Sequence, residues 1–154
     1  MFNALAIILH LVAINIWVGG MFFIIVVLGR VVSTLDVPEQ HRFWQKLLRR
    51  FFAWVWAAVM VLLGTGSAMI LYRFNGLGQA PLYVLVMAGL GLLMVTVFLA
   101  IYFVFYQRFK QAMQQQDSES SRQQLKIIRW LGIVNMILGL CVVVAIGGGP
   151  YWFY

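Results

Sequence analysis

Acidic residues are nearly missing from this sequence: four Asp and Glu stand among 154 residues. All charged residues together make up 10%, against 64% hydrophobic residues. Soluble domains carry about a quarter charged residues and about half apolar ones, so a water-soluble fold could not cover its surface. One cysteine, Cys141, excludes an internal disulfide framework. The apolar excess excludes disorder outside short loops. The four long apolar runs contain no Asp, Glu, Lys or Arg. An acidic proton relay, a gating-charge array and the buried ion pair of a coupled transporter are therefore excluded. There is no phosphate-binding or dinucleotide-binding glycine motif, and no Ser-His-Asp or Cys-His set in one leaflet. Hydrolytic zinc chemistry needs about three N, O or S ligands, and only His10 is well placed to supply one. These absences favour a protein that is not an enzyme. The net charge of +7 does not point to nucleic acid, because every basic cluster flanks an apolar run.

What is present is a single membrane domain over residues 1–154 with four spans. A helix crossing the hydrocarbon core needs about 20 apolar residues. The runs at about 4–28, 51–72, 81–106 and 130–149 qualify. Backbone groups in lipid must be paired internally, so these are helices. The first is too long and lacks the basic leader and cleavage pattern of a removable signal peptide. Pro81 suits the first turn of the third helix, and the Gly147-Gly148-Gly149-Pro150 run is expected to stop the fourth. Segment 38–50 has a net charge of +3 and fits either a basic surface helix or an extension of the second span. Gln114–Ser121 is expected to be a polar loop tip. The fold class is an all-α, antiparallel four-helix transmembrane bundle.

Basic residues set the orientation. Ten of the eleven lie in the connections after spans one and three (Arg30, Arg42, Lys46, Arg49 and Arg50; Arg108, Lys110, Arg122, Lys126 and Arg129), and only Arg73 lies elsewhere. Basic loops stay cytoplasmic, so both termini are expected on the outside, the periplasm of an inner (plasma) membrane. Aromatic belts fit this: Tyr72, Tyr83, Tyr151, Trp152 and Tyr154 outside, and Trp44, Trp54, Trp56, Tyr102, Tyr106 and Trp130 inside.

An ionisable residue within a span is a functional candidate by default. His10 lies about 10 Å deep at 1.5 Å per residue, on a face with Asn3, Ala6, Ala13, Trp17, Gly20 and Met21. Neutral imidazole binds metals and haem iron; the plainer role is a hydrogen bond to a neighbouring helix. His41 belongs to the basic side, about 30 Å from His10, and is expected to be interfacial and not to share its centre. Three soft donors match the depth of His10: Met69, Met87 and Cys141. Thioether and thiol sulfur select Cu(I), and thioether also serves haem. Met87 shares a helix face with Gly91, Met94 and Phe98. Met is equally a packing residue, and so is a lone cysteine. Helix contacts are expected at Gly19-Gly20, Gly64 and Gly66, Gly89 and Gly91, and Gly132 and Gly139. Asn15 and Asn135 are expected to bond between helices, at about 0.6–2 kcal/mol each.

The stretch from His10 through Asn15 and Trp17 to Gly20 resembles the first helix of the CopD-like membrane proteins of copper resistance. Arg49-Arg50-Phe51-Phe52 and Ile133-Val134-Asn135-Met136-Ile137-Leu138-Gly139 are similar to theirs as well. The resemblance implies an inner-membrane protein of copper homeostasis, in uptake or resistance, with His10 as a ligand and Cu(I) as cargo. It also allows a periplasmic copper-binding partner and a homo-oligomer beside the lipid bilayer. A second likeness is to the HemJ-type protoporphyrinogen oxidases, which carry a His early in the first span and bind haem b. Their basic residue near the last helix has counterparts in Lys126 and Arg129, but the surrounding motif differs. Three readings stand: copper handling, a haem b oxidoreductase, or a non-catalytic accessory subunit.

Overall fold

A computed structural model describes residues 2–152, and for residues 2, 3, 73, 74, 77 and 149–152 the description stops at the backbone. Tyr154 and the side chains of Asn3, Arg73, Tyr151 and Trp152, which the sequence assigns to the His10 face and the outer rim, lie outside the described residues. Four helices are long and apolar enough to cross a membrane: Ala4–Val32, Val37–Tyr72, Leu82–Gln114 and Ser118–Gly148, here spans one to four. No strand occurs among the described residues. The all-α four-span architecture is the one the composition requires, because lipid offers no partner to an open backbone.

The helices run further than the apolar stretches. Segment 38–50 is not a separate surface helix; it is part of one 38-residue helix, Val37–Phe74. The polar stretch expected as a loop tip is mostly helical, since span three continues to Gln114 and the next helix starts at Ser118. Nor does the glycine run stop span four, whose helix extends to Trp152. Glycine is a weak helix breaker where no water competes for the backbone bonds. Pro81 lies one residue earlier than expected, as the N-cap of the helix beginning at Leu82.

Tight turns force the up-and-down order. Helix Val37–Phe74 ends at Asn75 in the left-handed region (φ 52°), followed by Gly76 at φ 109°. The Gly76 N–H returns 3.0 Å to the Ile70 carbonyl, closing the last turn. Gln116 (φ 57°) plays the same part before span four, and the Asp117 N–H reaches the Ala112 carbonyl at 3.0 Å. Asp117 then caps the new helix, accepting the Ser120 N–H at 3.0 Å. Hydrogen bonding from the Ser120 side chain, and then from its backbone N–H, holds the exposed Asp117 carboxyl below its ordinary pKa.

Span one is irregular. Its α-helix gives way to π-helix at Asn15–Gly19 and again at Phe23–Leu28. Wider π turns rotate the following residues. Ala13, Ile14, Trp17, Val18, Met21 and Ile24 thereby form one buried face. A third π segment, Ile101–Phe105, lies in span three.

The core occupies the half of the bundle nearer the basic connections. There Phe52, Trp56, Phe98, Tyr102 and Tyr106 make edge-to-face contacts, with Phe52–Tyr106 centroids 5.0 Å apart. Trp17 joins from span one, 6.0 Å from Phe98. Such pairs contribute about 0.5–1.5 kcal/mol beyond area burial. Trp44 and Tyr106, expected at an interfacial belt, are instead buried in this core, while Trp54 and Trp130 face outward.

Only some glycines sit at contacts. A Cβ on Gly139 would come within 2.5 Å of Val18 Cγ2 and 3.2 Å of Met94 Cε, so spans one, three and four converge there. A Cβ on Gly20 would meet Phe51 at 2.6 Å, and one on Gly132 would meet Ile25 at 3.4 Å. Among the described residues Gly19, Gly64, Gly89 and Gly91 have no such neighbour within 4 Å, against the sequence expectation. Helix rotation decides which member of each pair touches a neighbour, and composition does not encode rotation.

Candidate functional site

The opposite half of the bundle is loosely packed. Among the described residues, span two has no buried side chain after Val59, and span three has none before Met94. His10, Thr65, Met69 and Met87 all lie in this open half, each partly buried.

His10 packs on span two. Its Nδ1 lies 2.8 Å from Thr65 Oγ1, and a Cβ on Gly66 would sit 3.5 Å from its Cε1. Thr65 is the residue sequence reasoning passed over; the signal available was a hydroxyl between two glycines, at the depth of an intramembrane His. The Thr65 hydroxyl donates to the Val61 carbonyl at 2.6 Å. A hydroxyl carries a single proton, so toward His10 it acts as acceptor. His10 therefore donates from Nδ1, and its Nε2 keeps the lone pair. The same arrangement orients metal-bound histidines, where the non-ligating nitrogen donates to an oxygen.

The other donors are distributed unevenly. Met69 follows Thr65 by one helical turn on the same face of span two, close to His10 along the helix axis. Met87 packs partly buried against the core from span three. Span three lies mainly along span four, while span one lies along span two. Cys141 is exposed on the bundle surface. Among the described residues no group of three or more His, Cys, Asp or Glu gathers that would hold a metal ion. A hard or tetrahedral ion therefore lacks a cage here, whereas Cu(I) accepts a nitrogen and one or two thioethers.

Neither span asparagine bonds between helices as the sequence suggested. Asn15 is exposed and donates to its own Leu11 carbonyl at 2.8 Å. Asn135 is 1% exposed, and its Oδ1 has no hydrogen-bond partner among the described residues. It lines an apolar cavity of about 50 Å³ with Trp17, Met21, Phe52 and Phe98. Arg129 borders that cavity, with its guanidinium 5.5 Å from the Trp44 ring centre.

His41 is 6% exposed, packed within the bundle at its basic end, and its ring stands edge-on to Phe109 with centroids 6.3 Å apart. Its burial follows from the extension of span two into a helix that packs beside the end of span three.

Comparison with curated proteins and with solved structures yields no match. A family model described as copper resistance protein D matches residues 45–148, which include Thr65, Met69, Met87, Asn135 and Cys141 but stop short of His10. The match covers more than half of a chain that has four membrane-spanning helices, and the chain belongs to the CopD family of copper resistance membrane proteins.

Proposed function

We propose that this protein handles Cu(I) in copper homeostasis, taking the ion at the open end of the bundle through His10. The observation that carries this reading is the Thr65–His10 hydrogen bond, which leaves Nε2 as a preorganised neutral donor. Met69 supplies thioether sulfur from span two, the helix His10 packs on, and Met87 is the further thioether that span three offers to a low-coordinate soft site. Cys141, being exposed, serves only if a neighbouring chain or partner covers that surface. No carboxylate lies in the four apolar runs 4–28, 51–72, 81–106 and 130–149 to drive transport, so the ion moves down its own gradient or is passed from a periplasmic copper-binding partner. By the distribution of basic residues the His10 end faces the periplasm of the inner membrane.

The test is metal content after anaerobic loading with Cu(I). Wild-type protein should retain copper and His10→Ala should lose it, while His41→Ala should keep it. Met87→Leu, which preserves volume and removes sulfur, should bind more weakly. Equal retention in the two His variants would overturn the reading. A Soret band in the purified protein would replace it with haem b, which draws on the same His10.

A further inference from the structure

At the basic end of the bundle, remote from His10, lies a second site with different chemistry. A cleft of about 270 Å³ opens between the start of span two, the end of span three and the start of span four. One water needs about 10–15 Å³, so the cleft takes a larger guest. His41, Arg42, Gln116, Ser118 and Ser121 line it, with Met113 on one wall.

Two of these side chains are largely buried where they line the cleft. His41 is 6% exposed and Ser121 1%. Among the described residues neither the His41 ring nitrogens nor the Ser121 hydroxyl makes a hydrogen bond. The sealed side-chain atoms with no partner among the described residues are Gln124 Oε1 and Asn135 Oδ1; the polar atoms of His41 and Ser121 instead open onto the cleft these residues line, where a guest can meet them. The side chains converging here are donors: imidazole, guanidinium, amide and two hydroxyls.

The charge around the cleft favours an anion. Arg42 lines it, and the Arg122 guanidinium is close enough to act on the His41 ring. Helices of 38 and 35 residues begin at its rim, at Val37 and Ser118, each bringing the positive end of its dipole. Asp36, Glu39, Asp117 and Glu119 belong to the same end, but all are exposed and none lines the cleft. Asp117 is already engaged by the Ser120 N–H. His41 and Met113 carry donors that Cu(I) accepts, yet the guanidinium groups of Arg42 on the cleft wall and Arg122 nearby oppose a cation; the helix ends count for less, because Glu39 and Glu119 already occupy their first turns.

We propose that this cleft is an oxyanion site for a phosphate group, with His41 as its buried donor and Arg42 as its charge partner. That phosphate belongs either to a soluble cytoplasmic ester or to a lipid headgroup; the donor chemistry is shared. The proposal is independent of copper binding at His10.

The protein has two histidines, so ¹⁵N-histidine labelling reads both sites in the full chain. In nanodiscs of zwitterionic lipid, inorganic phosphate should shift the His41 ring signals saturably and leave those of His10 unmoved. Arg42→Gln should weaken phosphate binding about tenfold and Ser121→Ala by less, with unchanged His10 signals reporting an intact fold. A second preparation contains phosphatidylglycerol and no free phosphate. If His41 shifts there too, the phosphate is a lipid's; if only free phosphate moves it, the ligand is soluble. The proposal is overturned if His41 is unmoved in both arms, if chloride at equal ionic strength gives the same shift, or if Cu(I) moves His41 and phosphate does not.

Discussion

His10, on span one, packs against one end of span two and His41 lies at the other end of that helix, the first hydrogen-bonded and the second without a hydrogen-bond partner among the described residues. His10 is fixed to Thr65, which lies about 36 Å along the helix from His41 at 1.5 Å per residue. No single ion can touch both. The two histidines of the chain therefore report on two separate chemistries, and each can be removed without touching the other.

Thr65→Val should weaken Cu(I) binding about 10–100-fold, the usual cost of losing an orienting outer-shell partner. Valine keeps the shape and removes the acceptor that holds the His10 Nδ1 proton. Thr65→Ser should keep near wild-type affinity. A competition titration against a Cu(I) chelator measures both, and equal affinities for Val and Ser would show that the hydroxyl plays no part.

Gly139→Ala should destabilise the bundle by about 1–3 kcal/mol through overpacking. The new methyl would meet Val18 and Met94, and Val18, β-branched and stiff, cannot turn aside. Gly64→Ala, in open space, should be neutral or slightly stabilising because Ala is the better helix former. Thermal melts in detergent compare the two; a harmless Gly139→Ala would mean that spans one and four do not meet there.

Asn135→Leu should raise the melting temperature. Its orphan oxygen costs about 1–3 kcal/mol, and leucine fits a cavity walled by Trp17, Met21, Phe52 and Phe98. A lower melting temperature would instead identify a water held by Oδ1, for which the cavity of about 50 Å³ has room.

Reporter fusions after Gly148 should read as external, and insertions at Gln115–Asp117 as cytoplasmic, because ten of eleven basic residues lie at the second end. An inverted result would place His10 on the cytoplasmic side and reverse the proposed direction of access.

The four spans, their order and the charge asymmetry were legible in the sequence, because the bilayer imposes one rule on every residue of a span: be apolar and stay helical. His10 was legible too, as the one histidine within an apolar run, and so was the CopD likeness at Arg49–Phe52 and Ile133–Gly139. Thr65 as its partner was not, nor the choice of Gly139 over Gly91 as a contact, nor the burial of His41 and Trp44. Those depend on how each helix is rotated about its axis. Lipid solvates every apolar face alike, so hydropathy leaves rotation free, and the π turns of span one shift it further. Only packing between spans, where Gly139 admits Val18 and Thr65 meets His10, selects one rotation and so decides which donors face one another.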